Sequence, residues 1–220
     1  MIFGESLKVA ILNDMRILFL VPILLFILQM GKRITPEIRD NYGLYTELLN
    51  IRKSIVEDVI DISLTKSSNR NYLINLSEIF HSTLTHEIAL ISEVKKIDYN
   101  SFKFQLRCKA LSLIPFFRFD SDGATHRNYD ESIPLSQQSI TTPHFNAFKS
   151  TGELIAYKTQ ELLNEKSRKA LEDISLCIVH FFHEANIRLR DHEFSSVTIL
   201  SKSLPFILKE NDPNSGVRFT

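Results

Sequence analysis

Between residues 101 and 109 the side chains alternate without exception: Phe102, Phe104, Leu106 and Cys108 on one side, Ser101, Lys103, Gln105, Arg107 and Lys109 on the other. A period of two sustained over that length fits an extended strand with one buried and one wetted face. Such a strand needs neighbours and a cover, so the chain must contain a sheet packed on one side. At 220 residues it has room for one domain, or for an anchor plus a domain of about 150–180 residues. Hydrophobic residues at 44% can fill a core and exclude a disordered chain. Sixteen Phe and no Trp indicate a core of Phe, Leu and Ile, and six Gly leave little for phosphate-cradling loops. Lys plus Arg equals Asp plus Glu at 26 each, so no global field steers the chain toward nucleic acid.

The N-terminal part carries a run without charge at residues 17–30, bounded by Arg16 and by Lys32 and Arg33. As a helix it spans about 21 Å, short of a hydrocarbon core of about 30 Å. Extension back to Leu7 supplies the length but includes Lys8, Asp14 and Arg16. Pro22 kinks such a helix, which membrane helices tolerate. No small-x-small cleavage site comes after it, so a membrane-associating, transmembrane helix is expected over residues 1–34 rather than a signal peptide. Its alternative is a fully buried helix of a soluble core. The basic pair after the run favours a cytoplasmic placement of the C-terminal domain, attached to the membrane through residues 17–30.

After Thr35 and Pro36, apolar residues recur at three- and four-residue steps from Ile38 to Ile62, which predicts a long helical connector over residues 35–66. A second helix is predicted over residues 71–94 from Leu73, Leu76, Ile79, Phe80, Leu84, Ile88 and Ile91. The strand at 101–109 comes next, then an edge strand at 111–119 through Pro115, and an aperiodic loop at 120–152. Helical spacing returns over 153–164 and 167–182, and alternation from Ala185 to Leu200 reads as a hairpin turning at Asp191, His192 and Glu193. Residues 211–220 read as a loose tail. The expected fold is α+β: an N-terminal apolar helix, a helical connector, and a mixed domain with an antiparallel sheet over residues 67–210. Cys108 and Cys177 lie in apolar stretches and are expected to be reduced core residues. Two helix–strand stretches each begin with a His-Glu pair, His86-Glu87 and His183-Glu184, an offset better explained by chance than by duplication.

Chemical motifs are few. A zinc-protease helix needs a second His four residues after the first, but Leu90 and Ile187 stand there. His180, His183 and Glu184 share a helical neighbourhood, with His192 beyond, and offer a looser set of metal ligands for a hydrolase. Arg188 to His192 is one residue too short for a helical Arg-His ribonuclease motif. No nucleotide-binding glycine fingerprint occurs, and no cofactor is indicated. Lys103, Arg107 and Lys109 form a basic stripe, read as a solvated sheet face. The densest polar cluster is Arg118, Asp120, Asp122, His126, Arg127, Asn128 and Tyr129, where strand meets loop. Arg118 or Arg127 there can fork onto phosphate or carboxylate, so Arg118, Asp120, His126, Arg127 and Tyr129 are the predicted ligand site.

Ser139-Ile140, the stretch 145–155 with Thr151-Gly152-Glu153, and the passage 171–200 resemble segments of membrane-tethered GAF- and PAS-type sensor domains. The resemblance implies a class of function, a non-enzymatic sensor or regulator. The polar cluster around Arg118 suits a small anionic ligand or a protein partner. The connector helix, able to pack on a partner copy or equally on its own domain, suits a homo-oligomer. Two other classes remain open at this level: a membrane-disrupting or immunity-type effector controlled by its soluble domain, and the metal-dependent hydrolase.

Overall fold

The computed structural model describes residues 34–83, 85–189 and 195–199. The apolar run at 17–30, His192 and the tail at 211–220 lie outside them. Pro36 opens α1 (Pro36–Asp40), and α2 (Tyr42–Asn50) comes directly after it. The chain is then extended through β1 (Lys53–Ile55), β2 (Val59–Asp61), β3 (Leu64–Thr65), β4 (Tyr72–Phe80), β5 (Ile88–Lys95), β6 (Asp98–Arg107) and β7 (Phe117–Asp120). Next come β8 (His126–Arg127), β9 (Ser139–Ile140), β10 (His144–Phe148) and β11 (Leu154–Tyr157). Three helices close the layer: α3 (Gln160–Leu163), α4 (Glu165–Ala170) and α5 (Ile174–Glu184), before β12 (Ile187–Arg188) and β13 (Ser196–Thr198). Each of the three starts on a side-chain cap, and Asp173 accepts from the amides of Ser175 (2.8 Å) and Leu176 (3.1 Å).

The α+β class is confirmed, with a mostly antiparallel sheet ordered β11-β10-β7-β6-β5-β4-β1-β12 and β3 beside β4. Among the described residues only β12 joins it in parallel, on β1. Among the described residues no helix is long and apolar enough to cross a membrane. Several expectations need correction. The helical connector over 35–66 ends at Asn50, and residues 53–65 carry three short strands instead. The helix at 71–94 is the β4–β5 hairpin, paired from Tyr72↔Lys95 to Ile79↔Ile88. The edge strand at 111–119 is β7, an interior strand between β6 and β10. Residues 153–164 form β11 and one helical turn, because Gly152 at φ +75° folds β10 back onto β11. A Cβ at Gly152 would collide with the Thr35 carbonyl and Arg39, and the Gly152 carbonyl accepts from the Thr35 amide (2.7 Å). The described parts of the stretch read as a hairpin at 185–200 do not pair with each other: β12 pairs with β1 and β13 with β2. The strand read at 101–109 is β6, running Asp98–Arg107 with Phe102, Phe104 and Leu106 buried. Cys108 is buried just beyond its end, and the face expected to be wetted also buries Ser101 and Gln105.

One face of the sheet is packed by α5. Its residues Cys177, Ile178, Phe181 and Phe182 are buried, as is Ala185 at its end, whereas Leu176 and Val179 on the other side are exposed. Phe181 meets Phe104 of β6, Phe117 of β7 and Phe145 of β10 at ring-centroid distances of 5.4, 5.5 and 6.3 Å. A single helical side chain thus contacts three neighbouring strands. Cys108 and Cys177 are free and buried, as expected.

Lys53 is fully buried, and its ammonium donates to the carbonyls of Leu48 (2.7 Å), Leu49 (3.1 Å) and Ile51 (2.9 Å). Burial pushes its pKa down to about 7. Three acceptors nevertheless call for three N–H donors, which only the protonated amine supplies, at a helix end where a cation is favoured. The result ties the end of α2 to the start of the sheet.

The packing makes a direct prediction. Phe181→Ala is expected to lower stability by about 3–5 kcal/mol in urea unfolding, since its ring leaves a cavity bounded by three strands. Val179→Ala, on the exposed side of the same helix, is expected to change it by less than about 0.5 kcal/mol.

Candidate functional site

Strand alternation that buries Phe117 and Phe119 turns Arg118 and Asp120 to the opposite face of the sheet. Register then places Lys103 of β6 and His144 of β10 directly across from Asp120, and Asn146 across from Arg118. Asp120 is only 4% exposed, yet a carboxylate buried there is surrounded by donors. Its Oδ2 accepts from Arg118 Nε (2.7 Å) and Asn146 Nδ2 (2.7 Å), while Oδ1 lies 3.5 Å from Lys103 Nζ. Among the described residues Oδ1 has no closer hydrogen-bond partner. His144 is also buried, with Nε2 at 3.8 Å from Asp120 Oδ2. Burial holds the His144 imidazole below its ordinary range, against the upward pull of the Asp120 carboxylate and the Thr141 carbonyl.

Residues 121–143 form a flap over this face. The flap has its own small ladder, β8 on β9, and it is latched to the edge strand β11. Asn128 performs the latching: its amide donates to the Ala156 carbonyl (2.7 Å) and its oxygen accepts from the Ala156 amide (2.8 Å). One side chain thereby satisfies two edge-strand groups. His126 reaches the Leu154 carbonyl (3.3 Å), and Gln138 donates to the carbonyls of Asp130 (2.7 Å) and Ile133 (3.1 Å) within the flap.

Between flap and sheet lies a cavity of about 250 Å³, whose lining includes Lys103, Arg118, Asp120, His126, Thr142 and His144. Three of the five residues predicted as the ligand site, Arg118, Asp120 and His126, therefore meet at one cavity. The other two do not line it. Arg127 donates to Gln138 Oε1 (3.3 Å) and stacks over the Tyr129 ring at 5.0 Å, so both belong to the flap's own scaffold. Sequence reading did not bring in His144 and Asn146, and it treated Lys103 as part of a solvated stripe. Their signal was present in the polar–apolar alternation His144, Phe145, Asn146, Ala147 at the start of β10, which Phe148 ends.

The metal set is placed differently. His180 Nε2 lies 2.9 Å from Thr159 Oγ1, and its ring meets Phe145 edge-on at 5.5 Å. His183 is exposed, with Nδ1 3.4 Å from Glu184 Oε1. Among the described residues no group of three or more His, Cys, Asp or Glu is arranged to hold a metal ion.

The electrostatics of the cavity are open to measurement. In an NMR titration of the histidine rings, His144 is expected to titrate below the free imidazole value of about 6.5. Asp120→Asn should shift it further down, because the carboxylate is the largest influence raising it. An unchanged or higher value in the variant would show that the carboxylate does not act on the ring. Comparison with protein-family models, with curated proteins and with solved structures finds no match to this chain.

Proposed function

We propose that this chain is a regulatory protein whose folded domain binds a small anionic ligand between the outer face of β6, β7 and β10 and the flap. The supporting observation is that Lys103 and Arg118, on adjacent strands, both lean on the buried Asp120 at the wall of one cavity. A carboxylate that uses only Nε of Arg118 fixes the guanidinium plane while leaving its terminal nitrogens for a second acceptor. Both cations are about one-third exposed, so they are reachable as well as held. The volume suits phosphate or a short carboxylate rather than a drug-sized molecule. Thr142 and His144 add polar groups to the same wall.

Inorganic phosphate and acetate serve as probes. Phosphate titration of the full chain by calorimetry should show binding that Arg118→Ala and Lys103→Met each weaken by about tenfold or more. Arg127→Ala should leave it unchanged, since Arg127 lies outside the cavity. Equal responses in all three variants, or no binding of either anion by the wild-type chain, would reject the site.

A regulator needs something to act on, and the apolar run at residues 17–30 supports a membrane as the place of action. On this reading the full chain sediments with membranes and is released by detergent but not by high salt. Recovery in the supernatant without detergent would separate ligand binding from any membrane role.

A further inference from the structure

The face of β4, β5 and β6 opposite α5 carries a charge arrangement that anion binding does not use. Glu78 of β4 stands directly across from Ala89 of β5, and Ala89 directly across from Arg107 of β6. The next outward row is Leu76, Ile91 and Gln105. In these two rows a carboxylate on β4 and a guanidinium on β6 therefore flank Ala89 and Ile91, while further along β5 the same face carries Glu93 and Lys95. Leu76 is 64% exposed and Leu113, on the same groove, 85%. With Ala89 and Ile91 they line a groove of about 630 Å³, and Glu87 and Lys109 lie on it as well. Arg107 is incompletely satisfied among the described residues: Nη2 reaches Gln105 Oε1 at 3.2 Å, and Nε has no acceptor.

This pattern is self-complementary. A two-fold axis in the plane of the interface and along β5 exchanges the flanking strands, laying β4 of one copy over β6 of the other. Because Glu78, Ala89 and Arg107 form a single row, the same rotation brings each copy's Glu78 over the partner's Arg107 with no slip along the strands. Facing sheets pack about 10 Å apart, a gap that a Glu and an Arg side chain bridge together. Ala89 and Ile91 of the middle strand then meet their own copies, and the facing sheet covers Leu76 and Leu113 from water.

We infer that this face is the interface of an isologous homodimer, with two Glu78–Arg107 pairs setting its register and Leu76, Ile91 and Leu113 supplying its apolar centre. Opposed charges of this kind fix orientation more than they add affinity, which is why exchanging them is the informative change.

Sedimentation velocity on the full chain, in mild detergent and over a range of micromolar concentrations, tests it. The wild type should be dimeric. Glu78→Arg and Arg107→Glu should each raise the dissociation constant by about tenfold or more, since each places like charges in apposition. An equimolar mixture of the two single variants should recover the dimer, because both cross-pairs are then free of the doubled like charge. Leu113→Asp, at a site too exposed to affect folding, should weaken the wild-type dimer. A monomeric wild type overturns the proposal. So does a dimer indifferent to both charge reversals, or a mixture that fails to reassociate.

Discussion

The contact of Phe181 with rings from three adjacent strands holds the rest of the fold in place. A sheet with Phe104, Phe117, Phe119 and Phe145 on one face cannot leave that face in water, and α5 is the element that covers it. Once those residues are committed inward, strict alternation commits Lys103, Arg118, Asp120, His144 and Asn146 outward. The polar cavity is thus the reverse side of the aromatic core. Its geometry is set by rigid strands, and the flap contributes mainly the roof and the latch on Ala156.

The parts of the fold that were legible in sequence, and those that were not, are decided by which faces are wet. β6 was readable because one side is uniformly apolar and the other uniformly polar. β4 and β5 resemble a helix in sequence because both of their faces carry apolar residues: Leu73 and Ile79 point inward, but Leu76 and Phe80 point outward and stay exposed. Their mixture fills the three- and four-residue spacing of a helix by accident. Leu76, one of the outward apolar residues that hid these strands, is also one that the proposed dimer buries. The connector failed for another reason. Strands of two or three residues, such as β1 to β3, are too short to show a period of two.

Within the site, Arg118, Asp120 and His126 were accessible to sequence reading because they are neighbours along the chain. His144 and Asn146 are brought in by register across β7 and β10, which a single sequence does not display. Arg127 was grouped with Arg118 by proximity, but β8 turns it toward Tyr129 and Gln138 instead. Proximity in sequence identified the cluster; strand pairing decided its membership.

Lys53 has a consequence of a different kind. All three of its ammonium hydrogens are occupied by backbone carbonyls, and none of its surface reaches solvent. A lysine in that state is inert toward acylating reagents while the junction of α2 and β1 is closed, whatever its proton affinity. Lys166 on α4, by contrast, is exposed, lies outside the proposed interface, and is open to the reagent whether or not the junction opens. The ratio of labelling at the two positions therefore reports how often the junction opens in the native protein. It does so without an introduced probe, at the point where the helical start of the described chain is fastened to its sheet.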